Sequence, residues 1–221
     1  MLLDKGFDGQ ASSAPLGNDV EAFYGILGDG ETAVIEMAEA SGLHLVPSDA
    51  RDPKLTSSIG TGQLIKHALD RGIQRLIIGL GGSATNDGGV GMLTALGVAF
   101  LDESGHAITP NGGGLAALAS IDISGLDPRL ATCEVLVACD VDNPLCGDKG
   151  ASAIFGPQKG ATVSDVTLLD NALRKFGELT EQATGMHVNM VNLLATVRVT
   201  INDQAIAVFR SEEHTSELQS R

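Results

Sequence analysis

A chain of 221 residues with 43% hydrophobic and 19% charged residues can bury one or two ordinary cores, which excludes the fibrous and disordered classes. Its 14 basic and 28 acidic residues leave a formal charge of -14, which repels nucleic acid and anionic membrane surfaces. An anionic small ligand must then be held by local donors, and the 28 glycines, beside 3% aromatics and no Trp, suit the tight turns that supply them.

In chain order, Val20 to Leu27 is extended and apolar, Gly28-Asp29-Gly30 turns, and Thr32 to Met37 returns, which predicts a hairpin within a larger sheet. From Thr61 to Arg71, Leu64, Ile65, Ala68 and Leu69 recur at helical spacing, and Gly72 ends the helix. Arg75 to Leu80 is a short unbroken apolar run, expected as a strand buried on both faces. A glycine-rich turn, a short helix near Gly91 to Leu96, a polar hairpin around Asp102-Glu103-Ser104-Gly105 and a loop at Asn111 to Gly114 follow. Glu134 to Cys139 is a second buried strand, leading into the acidic loop Asp140 to Pro144 and on to Phe155-Gly156-Pro157-Gln158-Lys159-Gly160. A long helix comes last, capped by Thr162 or Ser164, with Val166, Leu169, Leu173, Phe176 and Ala183 on one face. The order of helix and buried strand makes the chain α/β, a three-layer domain with a mixed or parallel sheet, and such folds bind ligands in the loops that follow the strands.

Cys133, Cys139 and Cys146 form no CxxC pair and read as reduced thiols. The start of the chain lacks the pattern of a signal peptide and no run approaches a membrane span, so the expected address is the cytoplasm. Residues 210–221 read as an in-frame translation of a sequencing adapter and are set aside from fold reasoning.

The strongest local signal is Gly79-Leu80-Gly81-Gly82-Ser83-Ala84-Thr85-Asn86-Asp87-Gly88-Gly89, between a buried strand and a helix. Small residues in a row let successive N–H groups face one point, and Ser83, Thr85 and Asn86 add side-chain donors, as an anion or a polyhydroxy ligand requires. A tight turn in which glycine only permits close packing would need fewer glycines. Gly79, Gly81 and Ala84 also match G-x-G-x-x-A, with Asp102 near the position of a ribose-binding acid, which would make a dinucleotide oxidoreductase. Against that, Asp87 would sit beside the pyrophosphate, and Gly88, Gly89 and Gly91 would weaken the helix that must hold it. No P-loop is present, and Leu145 and Ala151 stand where an EF-hand needs Gly and Glu. Asp140 is a candidate Mg²⁺ ligand or general base, or else a loop carboxylate that caps backbone N–H groups. Lys159 can set a point charge against a phosphate, and Gly60-Thr61 at a helix start can hold a carboxylate or phosphate or merely cap the helix. His44, His67, His106 and His187 have no metal spacing and receive no role.

Taken together, Ala38 to Leu43, Gly60-Thr61-Gly62, Ile78 to Gly89, Ile121 to Leu130, Ala138-Cys139-Asp140-Val141 and Phe155 to Gly160 closely resemble the glycerate kinase family, in the same order. The resemblance covers residues 14–188. It implies ATP and Mg²⁺, glycerate as phosphoryl acceptor, the 2-phosphate as the usual bacterial product, and a two-domain α/β fold with its cleft between the domains. In that scheme Gly81, Gly82, Ser83, Ala84, Thr85 and Asn86 cradle an anionic ligand, with Gly60 and Thr61 beside them. Asp87 or Asp140 serves as base, Asp140 as metal ligand, and Lys159 offsets phosphate charge. The chain departs from the family pattern before Ala14, across residues 189–209, which read as frame-shifted, and at the absent C-terminal part, so it is expected to hold an incomplete fold and to be inactive alone.

Overall fold

The computed structural model describes residues 7–138, 141, 143–184 and the backbone of 208–209. Strands β1 (Phe7–Ser13), β2 (Asp19–Ile26) and β3 (Thr32–Glu36) are followed by helices α1 (Met37–Ser41) and α2 (Ile59–Asp70) and by strand β4 (Arg75–Gly79). Helix α3 (Val90–Ala95), strands β5 (Ala99–Leu101), β6 (Ser120–Asp122) and β7 (Glu134–Ala138), helices α4 (Ala151–Phe155) and α5 (Val163–Thr184), and strand β8 (Val208–Phe209) complete the order. The main sheet runs β1-β2-β3-β4-β7-β8, and β5 and β6 form a separate ribbon. β1 pairs antiparallel with β2 along its whole length, and β2 meets β3 antiparallel only at Gly25↔Val34 and Ile26↔Ala33. β3, β4 and β7 then lie parallel, in register through Val34, Ile77 and Leu136. The sheet is therefore mixed and flanked by helices, as the α/β pattern anticipates. Strand β1 had no counterpart in the sequence reading, because its polar, glycine-containing stretch lacks the apolar alternation that marks a strand.

One core lies between this sheet and α2. Leu64, Ile65, Ala68 and Leu69, the residues picked out by helical spacing, pack with Ala33, Ile35, Leu76 and Ile78. Val34, Ile77 and Leu136, which share a register row, point away from that core and are only half-buried. The expectation that β4 and β7 are buried on both faces is thus corrected. An unbroken apolar run records residue type but not which face a neighbour covers. A second core joins Leu173 and Phe176 of α5 to Val90, Phe100, Leu115 and Leu118.

Helix α5 begins as expected at Thr162. The Asp165 N–H donates to Thr162 Oγ1 (3.3 Å) and the Asp165 carboxylate accepts from Thr162 N–H (2.9 Å), a reciprocal cap. Asp165 also accepts from Lys54 Nζ at 2.5 Å, which ties the loop before α2 to the start of α5 and, with the Thr162 bonds, holds its carboxyl down to about 2. Cys133 and Cys146 are free, and burial pushes both thiols up to about 11, so both are protonated at neutral pH. Cys139 lies outside the described residues.

Candidate functional site

The glycine-rich segment leaves the sheet where β4 and β7 end side by side, the Leu80 N–H donating to Ala138 O at 3.3 Å. Its first residues are outside the core: Gly81 and Gly82 are exposed and Ser83 is half-buried. Ser83 forms an antiparallel bridge with Gly42, in which Leu43 N–H donates to Gly82 O and Ala84 N–H to Ser41 O, each at 2.8 Å. The N–H groups of Gly81, Gly82 and Ser83 themselves meet no acceptor among the described residues and are left open to solvent or a ligand. From Ala84 the chain turns inward. Ala84, Thr85, Asn86 and Asp87 are buried, Thr56 Oγ1 donates to Ala84 O (2.9 Å) and Asn86 Nδ2 to Ser152 Oγ (2.9 Å). Within the expected cradle from Gly81 to Asn86, the first three residues are thus open to a ligand, while Ala84, Thr85 and Asn86 are buried and the Asn86 amide is already engaged by Ser152.

Lys159 arrives under this loop from a 3-10 turn, Pro157–Lys159. Its side chain is buried at 8% exposure, and Nζ donates to Ser83 Oγ (3.0 Å) and Thr85 O (2.5 Å), with no carboxylate within ion-pair distance among the described residues. Burial pulls its pKa from 10.5 down to about 8, with Asp87 pulling the other way. The native state thus releases this proton more readily than the unfolded chain does. Stability, referenced to Lys159→Met to isolate this group, is expected to be lowest where Lys159 is charged and to rise between about pH 8 and 10.5, by at most about 3 kcal/mol. Urea unfolding at pH 7 and pH 10 measures the change, and a flat difference would refute it.

Asp87, expected as a base, is 2% exposed, and its carboxylate is already surrounded by donors. Oδ2 accepts from Ser58 N–H (2.9 Å), Ser58 Oγ (2.7 Å) and Gly91 N–H (3.2 Å), and Oδ1 accepts from Gly89 N–H (3.1 Å). Ser58 Oγ in turn accepts from Met92 N–H at 3.0 Å, so one carboxylate and one hydroxyl join the starts of α2 and α3. Ser58 was not among the expected residues. Its place just before a helix is typical of a cap, but a partner 29 positions away leaves no local signal.

Gly60 and Thr61, expected to hold a phosphate or carboxylate or to cap the helix, are placed in the packing between α2 and its neighbours. Both are buried inside the first turn of α2, Thr61 Oγ1 is 2.8 Å from Ser41 Oγ, and a Cβ on Gly60 would lie 2.1 Å from Ser13 O. The close approach of α2 to β1 accounts for the glycine. Asp102 caps its own turn, accepting from Ser104 and His106 N–H, and the chain after Gly79 turns at Gly81 and Gly82 into the Gly42 bridge instead of opening a helix at Gly81. The geometry of a dinucleotide fingerprint is therefore not formed. Asp140 lies outside the described residues, and among those described no group of three or more His, Cys, Asp or Glu is placed to hold a metal ion. No helix among them is long and apolar enough to cross a membrane.

The model of the glycerate kinase family matches residues 5–195. The chain is 60% identical over 176 residues to a glycerate kinase of Bacillus subtilis (strain 168), covering 80% of this chain and 46% of that one. It is 56% identical over 178 residues to a glycerate 2-kinase of Escherichia coli (strain K12), covering 80% and 46%. A crystal structure from Salmonella typhimurium LT2, assigned as glycerate kinase 2, superposes with a TM-score of 0.82 at 53% identity, over 84% of this chain and 50% of that one. The chain spans about half the length of the curated relatives it matches.

Proposed function

Because the chain belongs to the glycerate kinase family, we propose that in the complete enzyme it supplies the anion-holding side of a site that transfers a phosphoryl group from ATP to glycerate. The observation that carries this reading is a buried ammonium, Lys159, that has no carboxylate partner among the described residues and lies under a loop whose exposed N–H groups meet no acceptor among them. Phosphoryl transfer asks a protein chiefly for positioned donors and positive charge, which this arrangement offers. Ser83 and the N–H groups of Gly81, Gly82 and Ser83 hold anionic oxygens, and Lys159 offsets charge as it builds on them. Asp87 keeps the loop in place through Ser58, Gly89 and Gly91. Mg²⁺ would take Asp140 and the phosphates of the nucleotide as ligands and would neutralise charge on those phosphates. The name of the Escherichia coli relative supports phosphorylation at the 2-position, and we propose the cytoplasm as the site of the reaction.

Gly81→Ala separates this reading from a packing role. A Cβ at Gly81 would meet nothing within 4 Å, and its φ is not positive, so the fold does not require glycine there. We expect stability to stay within about 0.5 kcal/mol of wild type. Binding of the anionic substrate should weaken by about tenfold, because the methyl group stands in front of the free N–H groups. The measurement is steady-state kinetics on the chain completed with the C-terminal part of the Bacillus subtilis relative, beside a denaturation curve. Unchanged binding would remove the loop from the site.

A further inference from the structure

Among the described residues a second cation, beside Lys159, carries a donor that lacks an acceptor. Arg51 Nε is buried and has no hydrogen-bond partner, and the guanidinium takes part in no ion pair with a described carboxylate. Its carboxylate neighbour Asp52 is turned to Lys54, accepting from its N–H at 3.0 Å and facing its Nζ at 3.5 Å. The backbone of Arg51 closes on the turn that carries Lys159: a Cβ on Gly160 would lie 2.1 Å from Arg51 O and 2.9 Å from Arg51 Cβ. The segment is fixed on its other side as well, since Lys54 O accepts from Gly113 N–H (2.9 Å) and Lys54 Nζ reaches Asp165. A protein of charge -14 thus holds two cations on adjoining, anchored backbone, neither of them paired with a described carboxylate.

An orphaned buried donor calls for an acceptor that the described residues do not supply. From this geometry we infer that Arg51 is a second binding residue of the same site, its planar fork taking the two oxygens of one oxyanion, a carboxylate or a phosphoryl group, while Lys159 and the Gly81–Ser83 amides take another. The inference rests on the reading of that loop as an anion site and adds to it the residue that selects for planar, two-oxygen geometry. Lysine at this position keeps the charge and loses the fork.

Calorimetric titration of the chain completed with the C-terminal part of the Bacillus subtilis relative, with sodium glycerate and separately with inorganic phosphate, tests it on wild type, Arg51→Gln, Arg51→Lys and the surface control Lys66→Gln. Arg51→Gln is expected to weaken one of the two anions by about tenfold or more, which identifies the group it holds, with Arg51→Lys recovering only part and Lys66→Gln within about twofold of wild type. In the wild-type chain, the Arg51 Nε–H nuclear resonance should move as that anion is added, a readout that does not depend on how the variants fold. Equal affinity of Arg51→Gln and wild type for both anions, or a stationary Nε–H signal at saturation, overturns the role of Arg51 and leaves the loop reading intact. Failure of the wild-type chain to bind either anion overturns the loop reading and this inference together.

Discussion

Lys159→Met is expected to leave the chain more stable at pH 7 and, in the completed enzyme, to lower glycerate phosphorylation by about 10²- to 10³-fold. Opposite signs are what the proposed role of the charge, toward a ligand and not toward the fold, requires. Moving the lysine from its ordinary 10.5 to about 8 amounts to about 3 kcal/mol against the charged form in the native state. Methionine fills a similar volume without that penalty, but it orphans the buried Thr85 O, which costs about 1–3 kcal/mol, while the half-exposed Ser83 Oγ can turn to water. A net gain of about 1 kcal/mol corresponds to a melting temperature higher by about 2–4 °C. Calorimetric melting and a coupled assay of ADP release read the two effects separately. Should stability and turnover fall together, Lys159 is a structural tie and its part in phosphoryl transfer is lost.

Asp87→Asn should act in the opposite way, on the fold first and on catalysis through it. An amide keeps one acceptor oxygen and turns its NH₂ toward a donor, Gly89 N–H or the cluster of Ser58 and Gly91, at 2% exposure where water cannot substitute. The expected loss is about 2–3 kcal/mol, a melting temperature lower by roughly 5–10 °C. Asp87 is also the charge that favours protonation of Lys159, so the lysine should titrate below its wild-type position in the variant. A catalytic base would leave a different signature. Removing one would cut turnover by orders of magnitude at unchanged stability, and that result would return Asp87 to the reacting atoms.

What could be read from the residues alone follows the range of the interaction. The helix at Ile59–Asp70 and the turn at Gly28-Asp29-Gly30 depend on neighbours in sequence, and spacing located both. The cap of α5 was likewise local, Thr162 with Asp165 three positions on. The loop at Gly81 to Ser83 was found because several small residues in a row serve little purpose in a plain turn. The contacts that sort the site are long-range: Lys159 to Ser83, Asp87 to Ser58, Gly60 against Ser13. Nothing in the spelling of Gly60-Thr61-Gly62 separates a glycine that admits a phosphate from one that admits a strand, since the need for a missing Cβ is the same in both. Arg51 carries no motif at all, and only the three-dimensional tally of donors against acceptors brings it out.

The bridge between Gly42 and Ser83 also bears on the rate of capture. A loop pinned by Leu43 and Ala84 amides before any ligand arrives has little disorder left to lose, so an incoming anion spends its interaction energy on being retained and not on moulding its receptor. Substitutions that leave this staple intact are then expected to alter how long a bound anion stays and to leave the speed of its arrival nearly constant.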